Sequence, residues 1–462
     1  MPAVKIAIIG GGSYSWTFTI VRDLIVTGDL EGSTIVLEDI DGDALKTTGP
    51  LCRKIVKKSG RDFKIETTTS ERAALKDADF VILTISTGGF DTMDHDIGVP
   101  LKYGIYQSVG DTVGPGGISR ALRNIPVIVD IGKRMEKLCP DAVMLNYSNP
   151  MSTMCRALTR ETDVATIGLC HELFGAMNWL VKLFGLRDRH DFDVVAAGVN
   201  HCIWILDLTI KETGEDALAL LRQYLKRPKA FLKKRQGRIK SKKRAKEMLA
   251  FAQTHGGTNL VKSALFEVYG ALPAGGDRHV GEFFPFFLTE RAHAGQDWGV
   301  KLTTVEERRN KWQPDALANC KAMLRGKKPI SMKRSGETIS LIIDAMTGGT
   351  PFVDVMNLPN DGQIANVPLD ACVETMAIAD STGARGLAVG DLPLGVLNQV
   401  MKHLLNQELT VEAALTGDKD LVLQAMLNDP LVGNLEDAKK MTKELLEANK
   451  RWLPQFFRKR GR

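Results

Sequence analysis

The first twelve residues limit most narrowly what this chain can fold into. KIAII (5–9) is an almost continuous run of branched aliphatic side chains, and three glycines follow it at once. Such a run is typical of a central parallel strand that is buried on both faces. The next stretch, SWTFTIVRDLIVTG (15–28), carries apolar residues at helical spacing. A strand, a glycine turn and a helix predict an α/β fold with a Rossmann-type, doubly wound parallel sheet.

A turn of this kind is suited to a dinucleotide. Its backbone N–H groups can approach a pyrophosphate closely, and the helix N-terminus favours the anion. The match to the pattern G-x-G-x-x-G is partial, since Ser15 takes the third position. The second predicted strand, STIVLEDID (33–41), ends in acids close to where a ribose-binding carboxylate belongs. The alternative is a simple turn and helix cap. The residues expected to bind NAD are Gly10, Gly11, Gly12, Ser13 and Asp39.

Further strand ends are predicted at the same edge of the sheet. ADFVILTIS (78–86) and AVMLNYSNP (142–150) read as strands, and the second ends in Asn149. Ligands of doubly wound sheets bind at the carboxyl ends of the strands, so Asn149 is expected to contact the substrate. Its alternative is an Asn-Pro turn. The glycine-rich segment QSVGDTVGPGG (107–117) predicts an active-site loop, with a helix starting only at ISRAL.

Two later strands deliver soft metal ligands. ATIGL ends at Cys170, and VVAAGVN ends at His201. A thiolate and an imidazole suit a divalent transition metal. Zinc-finger spacing is missing, so an open site with room for substrate oxygens is favoured over a closed structural one. The alternative reading is a small buried cysteine and a core histidine.

Residues 266–287 combine several reactive side chains in a loop-forming context. FEVYGALPAGGDRHVGEFFPFF contains Tyr269, Asp277, Arg278 and His279 between glycines and prolines. A tyrosine can act as a base when a cation lowers its pKa. An arginine can grip a carboxylate in bidentate fashion. The alternative is a packed loop with an Asp–Arg pair.

Composition bounds the class of protein. The 462 residues are 44% hydrophobic and 25% charged, which fits a two-lobed globular chain. We expect an NAD-binding Rossmann-like domain over 1–195 and a substrate- and metal-binding α/β domain over 196–462. Seven cysteines without paired spacing disfavour a secreted disulfide framework. No signal-peptide pattern and no apolar run of about 18 residues is seen, so a cytoplasmic protein without membrane contact is expected.

One segment is strongly basic. Residues 222–246 contain thirteen lysines and arginines and no acid. Such a run can bind nucleic acid, but aromatic stacking residues are sparse in it. A solvated helical insertion near the mouth of the active site is the favoured interpretation, with attraction of polyanionic ligands as an intermediate one.

Taken together, the motifs resemble glycoside hydrolase family 4 from residue 4 to about 430. They are GGGS, the Asp39 strand end, QSVGDTVGPGGI, NYSNPM, CHE, GVNH, YGALPAGGDRH and NLPNDGQIANVP. Members of that family depart from the usual two-carboxylate scheme of glycosidases. They use NAD and a divalent metal, usually Mn²⁺, on a fold similar to lactate and malate dehydrogenases with a second α/β lobe. The resemblance implies oxidation at C3 of the sugar, loss of the C2 proton, elimination of the aglycone, addition of water and return of the hydride.

The resemblance also implies roles for individual residues. Cys170 and His201 correspond to the metal ligands, and Tyr269 to the base that removes the C2 proton. Asn149 corresponds to a contact with substrate hydroxyls, and Asp277 to an aspartate near the metal and the base. His171 stands where phospho-α-glucosidases of the family have the aspartate proposed as acid. The leaving group is therefore expected to be protonated by His171, by Glu172 or by water.

The substrate class follows from the same motifs. CHE with GIYQSVGDTVGPGG and GGDRH resembles the α-galacturonidase branch, whose substrate carries a C6 carboxylate, with Arg278 as its expected partner. Met93 stands where members acting on 6-phosphosugars have an arginine, which disfavours a phosphate pocket. An α-glucuronidase and a neutral α-galactosidase or α-glucosidase are the alternatives within the family. Outside it stand an NAD-dependent 2-hydroxy acid dehydrogenase and a non-catalytic nucleotide-sensing or nucleic-acid-binding protein. Family analogy predicts a homo-oligomer, dimer or tetramer, acting on a small oligosaccharide or uronide.

Overall fold

A single mixed sheet organises the described part of the chain. The computed structural model describes residues 3–27, 29–239, 241–255 and 259–458. Thirteen strands are found within these ranges. They are β1 (Lys5–Ile9), β2 (Thr34–Glu38), β3 (Lys64–Thr68), β4 (Phe80–Leu83), β5 (Val143–Asn146), β6 (Thr166–Gly168), β7 (Phe192–Val199), β8 (Cys202–Ile210), β9 (Glu215–Asp216), β10 (Leu272–Pro273), β11 (Phe352–Pro359), β12 (Cys372–Asp380) and β13 (Gly383–Gly386).

The first six strands form the parallel half of the sheet. They lie in the order β3-β2-β1-β4-β5-β6, and each neighbouring pair is parallel. This is the strand order of a dinucleotide-binding Rossmann sheet. The predicted strands 33–41, 78–86 and 142–150 correspond to β2, β4 and β5. The predicted Rossmann-type α/β fold is confirmed.

The other strands extend the same sheet in antiparallel fashion. β11 joins β6 through Asn357 and Gly168, and β12, β7, β8 and β10 follow outward. β9 pairs with β8, and β13 pairs with β12. The second lobe is therefore built on a continuation of the first lobe's sheet. The expected boundary at residue 195 falls inside β7 (Phe192–Val199).

Helices cover both faces of the sheet. They are α1 (Thr17–Val26), α2 (Gly42–Ser59), α3 (Glu71–Leu75), α4 (Gly89–Leu101), α5 (Gly114–Leu138), α6 (Met151–Glu161), α7 (Glu172–Phe184), α8 (Ala217–Lys226), α9 (Pro228–Gln236), α10 (Lys242–His255), α11 (Leu260–Tyr269), α12 (Asp277–Val280), α13 (Val305–Glu307), α14 (Gln313–Leu324), α15 (Ile339–Met346), α16 (Leu394–Thr416), α17 (Lys419–Asn428) and α18 (Leu435–Ala448). None of the helices in the described ranges is long and apolar enough to cross a membrane.

The helix after the glycine-rich loop starts earlier than predicted. α5 begins at Gly114, four residues before ISRAL, with Pro115 in its first turn. The carboxylate of Asp429 accepts a hydrogen bond from the Gly114 N–H at 2.8 Å, so a distant acid satisfies a helix-terminal donor. The glycines that disfavour a helix by propensity are thus held in one by a tertiary contact.

The basic segment folds as helices α8 to α10, in agreement with the helical interpretation, but it is not solvated throughout. Arg235 is buried, donates to the Phe184 carbonyl at 3.1 Å and pairs with Glu215 at 2.7 Å. α10 packs on α7, with Lys182 over the ring of Phe251. These contacts hold the segment against the C-terminal part of α7, whereas the N-terminus of that helix carries Glu172, a residue of the cavity described below.

Candidate functional site

The cavity that collects most of the predicted site residues lies where the two halves of the sheet meet. Its volume is about 550 Å³, within the range of roughly 300–1,000 Å³ that is usual for small-molecule sites. Asn149 follows β5, Cys170 follows β6, and His201 lies in the turn between β7 and β8. The carboxyl ends of the strands thus place these side chains on one wall, as expected.

The glycine turn after β1 has the form of a phosphate cradle. Gly10 has a φ of +92°, and a Cβ there would overlap the carbonyl oxygen of Thr84. A Cβ on Gly12 would lie 2.6 Å from Asp39 Oδ2, to which the Gly12 N–H donates at 2.9 Å. Ser13 Oγ accepts from the Trp16 N–H at 3.2 Å, at the start of α1. The open backbone and a first helical turn without acids fit a bound pyrophosphate.

The metal-type donors are arranged around His201. Thr112 donates to Asp111 Oδ1 at 2.9 Å and lies 2.7 Å from His201 Nδ1. Because the hydroxyl proton goes to Asp111, Nδ1 must donate to Thr112, which leaves Nε2 as a free lone pair. Cys170, the other predicted ligand, also lines the cavity. The donor set of thiol and imidazole fits a divalent transition metal.

Two further side chains enlarge that donor set. Ligand atoms of Asp111, His201 and His279 lie within 4.8 Å of one another. The two imidazole rings stack with centroids 3.9 Å apart. Carboxylate and imidazole are ordinary ligands of divalent metals, so Asp111 and His279 are additional candidate ligands beside the predicted pair.

The electrostatics of the cavity favour ligation. Burial lowers the pKa of His201 to about 3, and His279 contributes in the same direction. Burial alone would raise the pKa of Asp111, but His279, His201, Arg120 and Arg308 together lower it to about 2. Near neutral pH the site therefore presents a neutral imidazole and an ionised carboxylate, the protonation states that bind metal.

The carboxylate of Asp277 accepts hydrogen bonds from the first turn of α11. Oδ2 accepts from the Val261 N–H at 3.0 Å and Oδ1 from the Lys262 N–H at 3.3 Å, while Lys262 Nζ lies 3.8 Å away. The side chain lines the cavity and at the same time satisfies the first turn of the helix.

Tyr269 is not among the residues that line this cavity. The residue ends α11, eight residues after Val261, and a helix rises about 12 Å over that length. Its ring packs 5.1 Å from Trp204, and its hydroxyl accepts a hydrogen bond from Gln399 at 3.1 Å. Asp277 at the other end of the same helix reaches the cavity instead.

His171 and Glu172 follow Cys170 on the cavity wall. His171 is half exposed, and its Nδ1 lies 3.2 Å from Glu337. The hydrogen bond to Glu337 raises the pKa of His171 against the opposing effect of burial. The Gly276 N–H donates to Glu172, whose other oxygen lies 3.9 Å from His279 Nε2. The hydrogen bond to Glu337 therefore favours the protonated form of His171.

The two predicted substrate contacts also reach the cavity. The side-chain oxygen of Asn149 and Nε of Arg278 are buried and have no hydrogen-bond partner in the described part of the chain. Arg120 donates to the Asn149 carbonyl at 2.9 Å and so fixes the backbone beneath the side chain. Unpartnered polar atoms in a concave site are typical of ligand contacts.

Three residues of the site are not predicted from the sequence. Asp111 lies in the glycine-rich loop, where only the loop itself gives a signal. Arg308 comes from a segment without a motif. Glu374 lies in β12 close to Cys170, and burial raises its pKa to about 8, with Glu172 adding to the effect. The only sequence signal for Glu374 is its position as an acidic residue within a strand that contains β-branched residues.

Comparison with known proteins agrees with this architecture. The family model described as family 4 glycosyl hydrolase matches residues 5–186, and the model of its C-terminal domain matches residues 196–432. An α-galacturonidase of Lachnoclostridium phytofermentans is 36% identical, over 98% of this chain and 97% of the relative.

Solved structures extend the likeness to the fold. A putative glucosidase of Bacillus subtilis has a TM-score of 0.83 and 30% identity, covering 96% of this chain and 100% of that one. A 6-phospho-α-glucosidase from gut microorganisms, solved in complex with NAD and Mn²⁺, has a TM-score of 0.79 and 22% identity, covering 98% and 100%. A lactate dehydrogenase of Eimeria maxima, with a TM-score of 0.51 at 15% identity over 90% and 96%, confirms the predicted dehydrogenase-like fold. The chain belongs to glycosyl hydrolase family 4.

Proposed function

We propose that this glycosidase is an α-galacturonidase, which releases a terminal α-linked galacturonic acid. The observation that carries the proposal is the near-complete coverage at 36% identity of a relative named α-galacturonidase. The cavity supports it, because Arg278 brings an unpartnered guanidinium nitrogen to the same wall as the metal-type donors. Guanidinium groups bind carboxylates in bidentate fashion.

The proposal includes two bound groups. NAD, when bound at Gly10, Gly11, Gly12, Ser13 and Asp39, supplies a hydride acceptor, and a divalent metal such as Mn²⁺ supplies a Lewis acid. Cys170 and His201 would hold the metal, with Asp111 and His279 as further candidates. The 6-phospho-α-glucosidase that shares the fold carries both groups in its solved complex.

Within this scheme each side chain of the cavity has a defined task. Asn149 orients a sugar hydroxyl, and Arg278 binds the C6 carboxylate. His171, whose pKa is raised by its hydrogen bond to Glu337, donates a proton to the leaving glycosidic oxygen. Asp277 holds the wall in place through α11.

The proton from C2 of the sugar needs an acceptor inside the cavity. Tyr269, the residue that the resemblance suggests, is not among the cavity-lining residues and packs 5.1 Å from the ring of Trp204. Asp111 and Glu172 line the cavity, and the pKa of each is lowered by His279 and His201 against the effect of burial. One of these two carboxylates therefore accepts the proton in our scheme.

We further propose that the enzyme acts in the cytoplasm and as a homo-oligomer. Each of its seven cysteines is a free thiol, which suits a reducing compartment. Sedimentation velocity of the purified protein at micromolar concentration would give the oligomeric state, and a monomer throughout would contradict the second part.

The function is tested with a panel of p-nitrophenyl α-glycosides. The four substrates are the galacturonide, the glucuronide, the galactoside and the glucoside, each assayed with NAD, Mn²⁺ and a thiol reductant. We expect the galacturonide to be cleaved with the highest kcat/KM, without accumulation of NADH, because the hydride returns to the sugar. The matched variant Cys170→Ala should lose Mn²⁺-dependent release while still binding NAD.

Each alternative has its own result in this panel. Preference for the glucuronide or for a neutral sugar would move the protein to another specificity within the family. NADH formed in proportion to a 2-hydroxy acid substrate, without glycoside cleavage, would indicate a dehydrogenase. Full activity of chelator-treated enzyme would contradict the metal requirement.

A further inference from the structure

Arg308 is a second arginine that faces the cavity. Arg308 is the first residue of a π-helical turn, Arg308–Trp312, between α13 and α14, whereas Arg278 lies in α12. Both side chains line the same cavity, and each has a buried Nε without a hydrogen-bond partner in the described ranges. π-helical turns are rare and often occur at functional sites.

The other contacts of Arg308 leave its charge without a direct counter-ion. Nη1 lies 3.5 Å from the sulfur of Met93, a weak acceptor, and the guanidinium lies 5.8 Å from the ring centroid of Trp312. Within the described residues, the Arg278 side chain donates only to the carbonyl of Ser108, at 3.3 Å. Among the described residues, no carboxylate forms an ion pair with either guanidinium group.

The adjacent residue shows the contrast. Arg309 pairs with Asp91 at 3.2 Å and with Asp94 at 2.6 Å, on the outer surface of α4. The acids available to this turn are therefore used by Arg309, while Arg308 turns towards the cavity. A partly buried cation without a counter-ion destabilises the folded protein unless a bound ligand supplies the opposite charge.

Two guanidinium groups that face one concave space require an anion with at least two acceptor oxygens. A planar carboxylate matches the fork of an arginine in bidentate fashion, and a second arginine can bind its remaining lone pairs. A phosphate offers the same chemistry with more charge. Asp111, one of the carboxylates that line the cavity, interacts with Arg308 but is shared with His201 and His279.

We infer that Arg308 binds the C6 carboxylate of the sugar jointly with Arg278, and that Arg308 is the residue that selects acidic over neutral substrates. The inference rests on the proposed function for the identity of the sugar. The Met93 sulfur accepts only a weak hydrogen bond from Arg308 Nη1, which a carboxylate oxygen can replace.

The experiment compares Arg308→Met with the control Arg309→Met in the NAD- and Mn²⁺-loaded enzyme. Calorimetric titration with galacturonate, galactose and galactose 6-phosphate measures binding without turnover, and kcat/KM is measured on the p-nitrophenyl galacturonide and galactoside. We expect Arg308→Met to weaken galacturonate binding and uronide kcat/KM by about 10- to 150-fold, the loss of one charge-assisted hydrogen-bonded pair. Galactose binding, galactoside kcat/KM and NAD affinity should change less than about threefold, and Arg309→Met should leave the ratio of uronide to galactoside unchanged.

Outcomes that overturn the inference differ from those that overturn the function. If the wild type cleaves the galacturonide but Arg308→Met keeps the same uronide-to-galactoside ratio of kcat/KM, the role of Arg308 is rejected and the proposed function stands. Tighter binding of galactose 6-phosphate than of galacturonate, or no preference of the wild type for either anion over galactose, would reject the carboxylate site. Arg308→Lys serves as a second variant if the methionine variant fails to fold, and it should recover part of the loss through charge alone.

Discussion

Of the two predicted catalytic residues at α11, Asp277 lines the cavity and Tyr269 is not among the lining residues. Asp277 caps the start of α11 at the cavity, whereas Tyr269 ends the helix against Trp204 and Gln399. Tyr269→Phe should therefore keep kcat/KM on the galacturonide within about threefold and lower the free energy of unfolding by about 1 kcal/mol, the worth of one hydrogen bond.

Steady-state assays with the p-nitrophenyl galacturonide and urea unfolding check this prediction. Loss of a general base costs roughly 10²- to 10⁴-fold in rate, so a fall of that size in Tyr269→Phe would restore the tyrosine as the base. Asp111→Asn provides the comparison, since our scheme expects it to lose most activity.

Residues at strand ends were predictable, and residues brought in by tertiary packing were not. Asn149, Cys170 and His201 each follow a strand directly, and all three line the cavity. Arg308 reaches the same wall only because the π-helical turn packs beside Met93 and α4. No pattern in the sequence around residue 308 predicts that packing contact.

Glu282 gives the molecule a defined pH dependence. The carboxyl is fully buried, and one oxygen accepts the N–H groups of Val109 at 2.7 Å and Gly110 at 2.9 Å. Burial raises its pKa to about 8. Between the ordinary value of 4.5 and about 8 the folded state holds a proton that the unfolded state releases. The contribution of Glu282 to the free energy of unfolding is therefore fully present below pH 4.5. It is lost as the pH rises towards 8, by up to about 1.4 kcal/mol per pH unit.

Glu282→Gln should remove this part of the pH dependence. The glutamine oxygen can accept the same two N–H groups without an ionisable proton. Urea unfolding at pH 5, 6, 7 and 8 should show a smaller decline for the variant than for wild type. Equal slopes for the two proteins would mean that Glu282 is already ionised in the native state at pH 5.

At the scale of secondary-structure elements, the unit of β1, glycine turn and α1 was predicted with its function, whereas the start of α5 was not. The first depends on local sequence, because Gly10 must adopt a positive φ directly after a buried strand. The second depends on Asp429, more than 300 residues later, which accepts the Gly114 N–H. Local propensity cannot report a cap that arrives from another part of the fold.

Gly10→Ala tests the turn. A Cβ there would overlap the Thr84 carbonyl, and the φ of +92° adds strain of about 1–3 kcal/mol. We expect a loss of that size in the free energy of unfolding and at least tenfold weaker NAD binding by fluorescence titration. Gly175→Ala in α7 is the control, since its Cβ meets nothing within 4 Å; it should bind NAD like wild type. Normal NAD affinity in Gly10→Ala would contradict the cradle.

At the scale of the whole molecule, one sheet runs through both predicted domains. β6 and β11 join the parallel and antiparallel halves, and β7 crosses residue 195. The core around α5 also includes side chains from the end of the chain, among them Val411, Met426 and Met441. The sheet and this core therefore both cross the expected boundary at residue 195.

This shared core predicts that residues 1–195 do not fold alone. Without α16, α17 and α18 the fragment would expose the apolar faces of α4 and α5 that pack against these three helices, and a surface of that kind favours aggregation. We expect the fragment to lack a cooperative thermal transition by circular dichroism.

The full chain should unfold in urea with the same midpoint by circular dichroism and by tryptophan fluorescence, because Trp16 and Trp204 report opposite halves of one sheet. A fragment that melts cooperatively and binds NAD, or two separate midpoints in the full chain, would instead make the halves independent folding units. The cavity between them would then be an interface that opens by domain motion, whereas a single transition requires His201 and Cys170 to keep their relative positions until the whole molecule unfolds.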